Sequence, residues 1–346
     1  MKVAVYEGVK SIRLQERPEL KAAPGEVIVK VKYCGICGTD VHAYLHEGLL
    51  PTGLVLGHEI VGTVAEIGKG VEGWKVGERV VVGPPGPCGE CYYCRRGHSN
   101  ICMYAFSRTA GISPGFDGGM AQHVRVRYPQ NMLYRIPAEV SFEDAVLIDT
   151  ICVALRGIRQ SRFRVGDNVV VAGAGAIGLS AIQLLRIGGA RHITVLQPSP
   201  KKRELALKFG ADVGLNPSEE GAALQEKVMN LYGGIGADVA FECAGTPQAF
   251  QSLLGLVKAG GQVLVVGVTG EETTVIEAQL VVRETEIKAS FVYDDEDIHI
   301  CLDFLSQRRF NTEGMVSDII SLDDIVEKGF ERLASTKGLI KVVVAP

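Results

Sequence analysis

The rhythm of apolar and polar residues changes partway along this chain. Through the first 150 residues, short stretches of period-two alternation are separated by glycine-rich turns. Residues 27–32 (VIVKVK) alternate as a strand with one buried face does. Residues 60–64, 79–82 and 122–126 read as further strands, and the opening MKVAVYEG enters one at once. Beyond residue 150, continuous apolar runs alternate with helical periodicity. Residues 168–172 form a buried strand followed by a helix over 179–187, then 193–196 with 201–209, then 239–241 with 248–257, and finally 262–266. Strands alternating with helices predict crossover connections and a parallel sheet covered on both faces. After about residue 290 the alternation fades into a helix over 295–308, another over 322–333, and a last strand over 339–344. Ser321 with Asp324 three residues on supplies a capping signal for the second helix. No repeat of 20–50 residues and no low-complexity segment interrupts this order.

Composition narrows the class. With 346 residues, the chain is long enough for two domains that each bury a core. A net charge of −4 gives no reason to expect a nucleic-acid partner. The nine cysteines are an odd number, and the spacing of the first six suits metal better than disulfides, which points to a reducing setting. The N-terminus carries no basic leader, and no run approaches the roughly 18 apolar residues of a membrane span. A cytoplasmic protein without a membrane partner is the expectation.

Two cysteine patterns carry the chemistry. Cys88-x2-Cys91-x2-Cys94-x7-Cys102 places four thiols in a Gly/Pro-rich loop, the donor set of a closed tetrahedral zinc site with a structural role. Arg95 and Arg96 beside it can offset thiolate charge. A redox pair leaves two of the thiols unused, and an iron–sulfur cluster lacks its other motifs. The second pattern is dispersed: Cys37 in GICGTDVH, then His58 and Glu59 in LGHEIVG. A thiolate, an imidazole and a carboxylate from separate segments suit a zinc that keeps an exchangeable position for chemistry.

The run Gly173-Ala-Gly175-Ala176-Ile177-Gly178 follows a predicted strand and opens a predicted helix, the context that gives a GxGxxG motif its meaning. Gly173 permits the tight turn, Gly175 the approach of a pyrophosphate, and Gly178 close packing of helix on strand. The unpaired amides and dipole of the helix N-terminus then face the phosphates. The next strand ends in Gln197 where NAD-binding proteins carry an acid for the ribose hydroxyls. With Ser199, Lys201, Lys202 and Arg203 just beyond, the pattern leans slightly to NADP over NAD.

The stretch GHEIVGTVAEIGKGV (57–71) resembles the zinc-containing alcohol dehydrogenase signature of the medium-chain dehydrogenase/reductase superfamily. The four-cysteine lobe and the later dinucleotide motif resemble that family in the same order, over essentially the whole chain. The resemblance implies an α/β protein with a GroES-like β-rich catalytic domain over 1–152 and 291–346. A Rossmann domain with a doubly wound parallel sheet is inserted over 153–290, and the active site lies in the cleft between them. It implies Cys37, His58 and Glu59 as catalytic-zinc ligands, two zincs per chain, and a homodimer or homotetramer built through Rossmann-sheet edges. In LIDTICVALRGI the matching position for a further ligand, or for a carboxylate holding water on the metal, is Asp149. Cys152 is the weaker rival there, and Cys34 is a non-ligand. Cys243 and Cys301 read as core thiols. Counting Zn²⁺ with one thiolate and Glu59 as neutral, Asp149 makes the site anionic, which suits a carboxylate that shifts on and off the metal.

By the same resemblance Thr39 and His42 relay the proton from substrate oxygen to the surface. The expected activity is reversible hydride transfer between nicotinamide and a secondary alcohol, diol, polyol or threonine, with zinc as Lewis acid. Similar polyol dehydrogenases carry an Arg where this chain has Val292, and an aromatic where it has Ala43. Those departures, with Leu45, suggest a more apolar pocket for a less hydroxylated alcohol. Zinc-free quinone reductases share the fold but not the Cys37/His58/Glu59 set. A silent zinc-stabilised NAD(P)-binding sensor is the reading outside enzymes.

Overall fold

The structure, a computed structural model, describes residues 1–83, 86–336 and 338–346. The chain divides into two compact units: Met1–Asp149, Asp294–Arg308 and Thr312–Pro346 in the first, and Thr150–Tyr293 with Arg309–Asn311 in the second.

The first unit holds β1 (Lys2–Gly8), β2 (Ser11–Glu16), β3 (Val27–Gly35), β4 (Leu54–Val55), β5 (Glu59–Ile67), β6 (Arg79–Val82), β7 (His123–Val126) and β8 (Leu133–Arg135), of which the alternating stretches marked β1, β3, β5, β6 and β7 but not the short β2, β4 and β8. The second unit contributes β9 (Asn168–Ala172), β10 (His192–Leu196), β11 (Val213–Leu215), β12 (Ala237–Glu242), β13 (Val257–Val265) and β14 (Glu286–Ala289). The chain then returns to the first unit with β15 (Val316–Ser321) and β16 (Lys341–Ala345). A small sheet runs β2-β1-β4, and a seven-stranded sheet runs β15-β16-β3-β5-β6-β8 with β7 also paired to β3. Their apolar faces enclose one core that includes Val29, Tyr44, Leu56, Met120, Phe330 and Val342.

The register of three strands places the site. β3 lies between β5 and β16, with Gly35 opposite Glu59 on one side and Val343 on the other. Side chains two residues apart share a face of a sheet, so Lys341 and Val343 of β16 project the same way. Gly35 leaves the space between its neighbours open: a Cβ there would stand 1.9 Å from Glu59 Oε2. Sequence periodicity had not marked the helix Gly38–Leu45 that follows β3.

The second unit is the six-stranded sheet β11-β10-β9-β12-β13-β14, parallel throughout. Its strand order places β9 beside both β10 and β12, so the chain reverses direction across the sheet at the end of β9. That switch point is where open parallel sheets bind ligands. The predicted helices over 179–187, 201–209 and 248–257 are Ala176–Ile187, Pro200–Lys208 and Pro247–Leu256. The strand predicted over 262–266 begins at Val257, because Val257 pairs with Ala237 before a register shift.

The predicted helix over 322–333 is less regular than its periodicity implied. A 3₁₀ turn (Leu322–Asp324), a π-helical stretch (Ile325–Glu331) and an α-turn (Arg332–Ser335) succeed one another. Gly329 sits in the wide part, where a Cβ would come 2.9 Å from Ile36 Cδ1, so the helix packs directly beside the residue before Cys37. The capping signal takes another form as well. Ser321 Oγ donates to the Asp324 carboxylate at 2.9 Å, and no backbone amide bonds to the Ser321 side chain.

Candidate active site and metal centres

Cys37, His58 and Glu59 each offer a ligand atom within 4.8 Å of the others. Cys37 caps the helix Gly38–Leu45, and its backbone N–H donates to Asp40 Oδ2 at 2.9 Å. His58 and Glu59 stand at the start of β5, both buried. His58 Nδ1 lies 3.8 Å from Asp40 Oδ1, and Asp40 is wholly buried. Both atoms lack a hydrogen-bond partner. If His58 Nε2 were to hold a metal, the ring's proton would sit on Nδ1, facing the Asp40 carboxylate, the kind of outer group that orients a histidine ligand. Asp40 is a site residue that the motif reading passed over.

Negative groups dominate this pocket. Burial works against a charged His58, yet Cys37, Asp40 and Asp149 together hold its pKa well above the ordinary value. Burial likewise pushes the Asp40 carboxyl up, against the pull of His58. Such surroundings attract a cation. Asp149, half-buried near the start of the helix Ile148–Gln160, is outside the 4.8 Å donor group but acts electrostatically on both His58 and Lys341. Cys152, one turn further along, is fully buried.

The second missed residue is Lys341. Its ammonium donates to both Glu59 oxygens, at 2.5 and 2.7 Å, and only 5% of the residue is exposed. Burial opposes its charge, but Glu59, Cys37 and Asp149 raise its pKa overall, so it stays an ammonium. This corrects the charge count made from sequence. The count over Cys37, Glu59 and Asp149 omitted a buried cation that offsets one of the three negative charges.

The four-thiol lobe has the dimensions of a metal centre. Cys88 Sγ and Cys94 Sγ are 3.9 Å apart, as are Cys91 Sγ and Cys102 Sγ. Four sulfurs at about 2.3 Å from a tetrahedral zinc stand about 3.8 Å from one another, whereas a disulfide needs about 2.05 Å. None of the nine cysteines is disulfide-bonded. The backbone amides of Cys88 and Tyr104 donate to Cys102 Sγ and that of Cys91 to Cys88 Sγ. Arg96 stacks over the Tyr92 ring at 3.9 Å.

Thr39 and His42 lie on the helix after Cys37, with Thr39 Oγ1 3.8 Å from Cys37 Sγ and His42 exposed. In the second unit Gly173 has φ +94°, and Gly178 packs so closely that a Cβ would lie 1.9 Å from Gly173 O. Gly175 caps the helix that Ala176 and Ile177 begin, and nothing lies within 4 Å of where its Cβ would be. That opening fits a phosphate against the helix N-terminus.

At the end of β10, Gln197 Oε1 accepts from Ser199 N at 3.0 Å. Arg203 is spent on the Gln197 and Pro198 carbonyls at 2.7 Å each. Lys202 is half-buried with its pKa lowered by burial, and it has no counter-ion among the described residues. Cys301 is fully buried, while Cys243 is half-buried at the end of β12.

Comparison with known proteins agrees with this geometry. Residues 23–138 match the alcohol dehydrogenase GroES-like domain and residues 176–307 the zinc-binding dehydrogenase family. The chain is 32% identical to (R,R)-butanediol dehydrogenase of Bacillus subtilis (strain 168), covering 100% of both. The solved structure of the Bacillus subtilis 2R,3R-butanediol dehydrogenase superposes with a TM-score of 0.90, at 31% identity over 100% of this chain and 99% of that one. Sorbitol dehydrogenase of the same strain is 31% identical, with 100% of this chain and 97% of the relative covered. A structure from Sinorhizobium meliloti 1021, described as a putative zinc-binding dehydrogenase bound to NADP, has a TM-score of 0.89 at 30% identity, covering 100% of this chain and 99% of that one. These full-length likenesses do not favour the silent-sensor reading. Among the described residues no helix is long and apolar enough to cross a membrane. By fold, motif order and full-length similarity, the chain belongs to the zinc-dependent alcohol dehydrogenases of the medium-chain dehydrogenase/reductase superfamily.

Proposed function

We propose that this enzyme oxidises a small secondary alcohol or vicinal diol to the ketone, reversibly, with Cys37, His58 and Glu59 as the catalytic-zinc donors and Asp149 beside them. The convergence of those three donors over buried Asp40 and Lys341 carries the reading. Zinc held there supplies Lewis acidity toward the substrate oxygen. Thr39, 3.8 Å from Cys37 Sγ, takes the substrate hydroxyl proton and gives up its own toward His42, and exposed His42 takes up that proton and releases one to solvent. Asp40 orients the His58 ring, and Lys341 restrains Glu59.

The preference for a smaller or less hydroxylated alcohol rests on Val292, apolar where similar polyol dehydrogenases carry an Arg. It has φ +51°, and a β-branched residue in the left-handed region costs on the order of 1–3 kcal/mol, strain that proteins keep at functional positions. Ala43 is fully buried in the first unit's core with its carbonyl bonded to Tyr6 Oη, so its departure from the polyol enzymes is one of packing. Gln197 in place of an acid and the unpaired Lys202 support NADP. The four thiolates hold a second, structural zinc. Nine cysteines without a disulfide suit a reducing cytoplasm. The sheet edge β14, with Ile287 exposed on it and Val281 and Val282 exposed on the preceding helix, is the surface for a homo-oligomer.

The test is a panel of 2,3-butanediol, 2-butanol, sorbitol, threonine and a cyclic alcohol, each with NAD⁺ and NADP⁺, alongside zinc analysis. Two zincs per chain are expected, falling to one in Cys37→Ser with loss of turnover, and to one in Cys91→Ser. Turnover of sorbitol well above butanediol would overturn the substrate assignment, and full activity in Cys37→Ser the catalytic centre.

A further inference from the structure

Among the described residues His58 faces Asp40 at 3.8 Å, His123 faces Glu19 at 3.4 Å and His299 faces Asp295 at 3.7 Å. His42 and His46 instead face each other. Their ring centroids are 4.5 Å apart with the planes tilted by 40°, and both residues are exposed. Neither has a carboxylate partner among the described residues.

Local structure fixes this pair. His42 is in the last turn of the helix Gly38–Leu45, and His46 is its C-cap, with its backbone N–H donating to His42 O at 2.9 Å. Tyr6 Oη donates to Ala43 O and Lys10 N to Tyr44 O, each at 2.8 Å, which ties the helix end to the body of the unit. The C-terminal end of a helix carries partial negative charge, so a cation held there gains from the dipole.

We propose that His42 and His46 form a two-imidazole chelate for a divalent transition cation, separate from both thiolate-containing centres. Neutral imidazole is a preferred ligand of Zn²⁺, Ni²⁺ and Cu²⁺, while Mg²⁺ and Ca²⁺ take oxygen donors. Solvent completes the coordination shell, so the site is weaker than the buried centres and fills only when the free cation is in excess.

Occupancy has a functional consequence, which rests on the assignment of His42 to the proton relay. A relay imidazole accepts a proton on one nitrogen and releases one from the other. Once a cation takes the lone pair of one nitrogen, the other keeps its hydrogen and accepts nothing. Excess metal then inhibits turnover while leaving the catalytic centre intact.

The experiment titrates Ni²⁺, with Mg²⁺ as control, into enzyme carrying its full zinc complement, and follows binding by calorimetry and turnover in parallel. One additional Ni²⁺ equivalent is expected, with affinity falling on the order of 100-fold in His46→Gln and in His42→Gln. Inhibition by Ni²⁺ is expected to weaken equally in His46→Gln. Absence of the additional equivalent, or its persistence in both variants, overturns the chelate. Binding lost in both variants without inhibition of the parent enzyme keeps the chelate and overturns the relay role of His42. Zinc analysis before and after each titration separates inhibition at this pair from displacement of the resident metal.

Discussion

Replacing Lys341 with Met tests whether the buried ion pair organises the catalytic centre. Glu59 is 2% and Lys341 5% exposed, and the ammonium meets both carboxylate oxygens at 2.5 and 2.7 Å. Removing one partner of such a pair leaves an uncompensated buried charge and costs about 3–5 kcal/mol. At about 2–4 °C per kcal/mol for a unit of this size, the metal-stripped variant should melt about 6–20 °C lower. The single tryptophan, Trp74, packs on the core of the first unit, so its fluorescence follows that unit's unfolding. On the proposed role of Glu59 as a zinc donor, a divalent cation held there would partly replace the missing ammonium, so the loss should shrink when zinc is present. Adding Glu59→Gln to Lys341→Met removes the orphaned charge, and the metal-stripped double variant should regain most of the lost stability. A metal-stripped Lys341→Met within about 2 °C of the parent protein, or a double variant no more stable than the single, would refute the reasoning.

Two further outcomes follow from the second unit. Burial pushes the Tyr232 hydroxyl up to about 12, and its Oη donates to Val169 O at 2.9 Å and lies 2.7 Å from Thr194 Oγ1. Between pH 10 and 12 the unfolded chain loses this proton while the folded chain keeps it, so stability falls as pH rises, by about 3 kcal/mol in all. Tyr232→Phe should cost about 1–3 kcal/mol at neutral pH, and its stability gap to the parent should close across pH 10–12 in urea titrations; parallel curves would count against this. Gly178→Ala drives a Cβ to within 1.9 Å of Gly173 O and shifts the phosphate-binding turn. Its kcat/KM for the nicotinamide cofactor should fall on the order of 100-fold with zinc content unchanged, and unaltered binding, by fluorescence, of whichever reduced nicotinamide cofactor the parent binds would contradict the placement.

What the sequence disclosed and what it hid divide along physical lines. Glycine spacing in 173–178 and thiol spacing in 88–102 are short-range facts, because a single turn or loop brings those groups together. Four strands of the parallel sheet, β9, β10, β12 and β13, were legible for a related reason, since runs such as 168–172 are continuously apolar, whereas the short edge strands β11 and β14 carry no such run and were missed. The groups that support the metal donors carry no such mark. Asp40 stands three residues from Cys37 and reads as an ordinary turn acid until His58 arrives on β5. Lys341 is 282 positions from Glu59, at the head of a valine run whose pattern says only that a strand begins. Their meeting depends on the antiparallel register of β16, β3 and β5 and on the missing side chain of Gly35 between them. The width of the helix at Gly329 is hidden for the same reason, since its packing partner is Ile36 on a distant segment. The four thiols of 88–102 can be found from spacing because one loop gathers them, whereas Cys37, His58 and Glu59 were proposed as donors from the resemblance of their motifs. The buried charges that tune those donors are set by strand register, so their identity emerges only when the sheet is assembled.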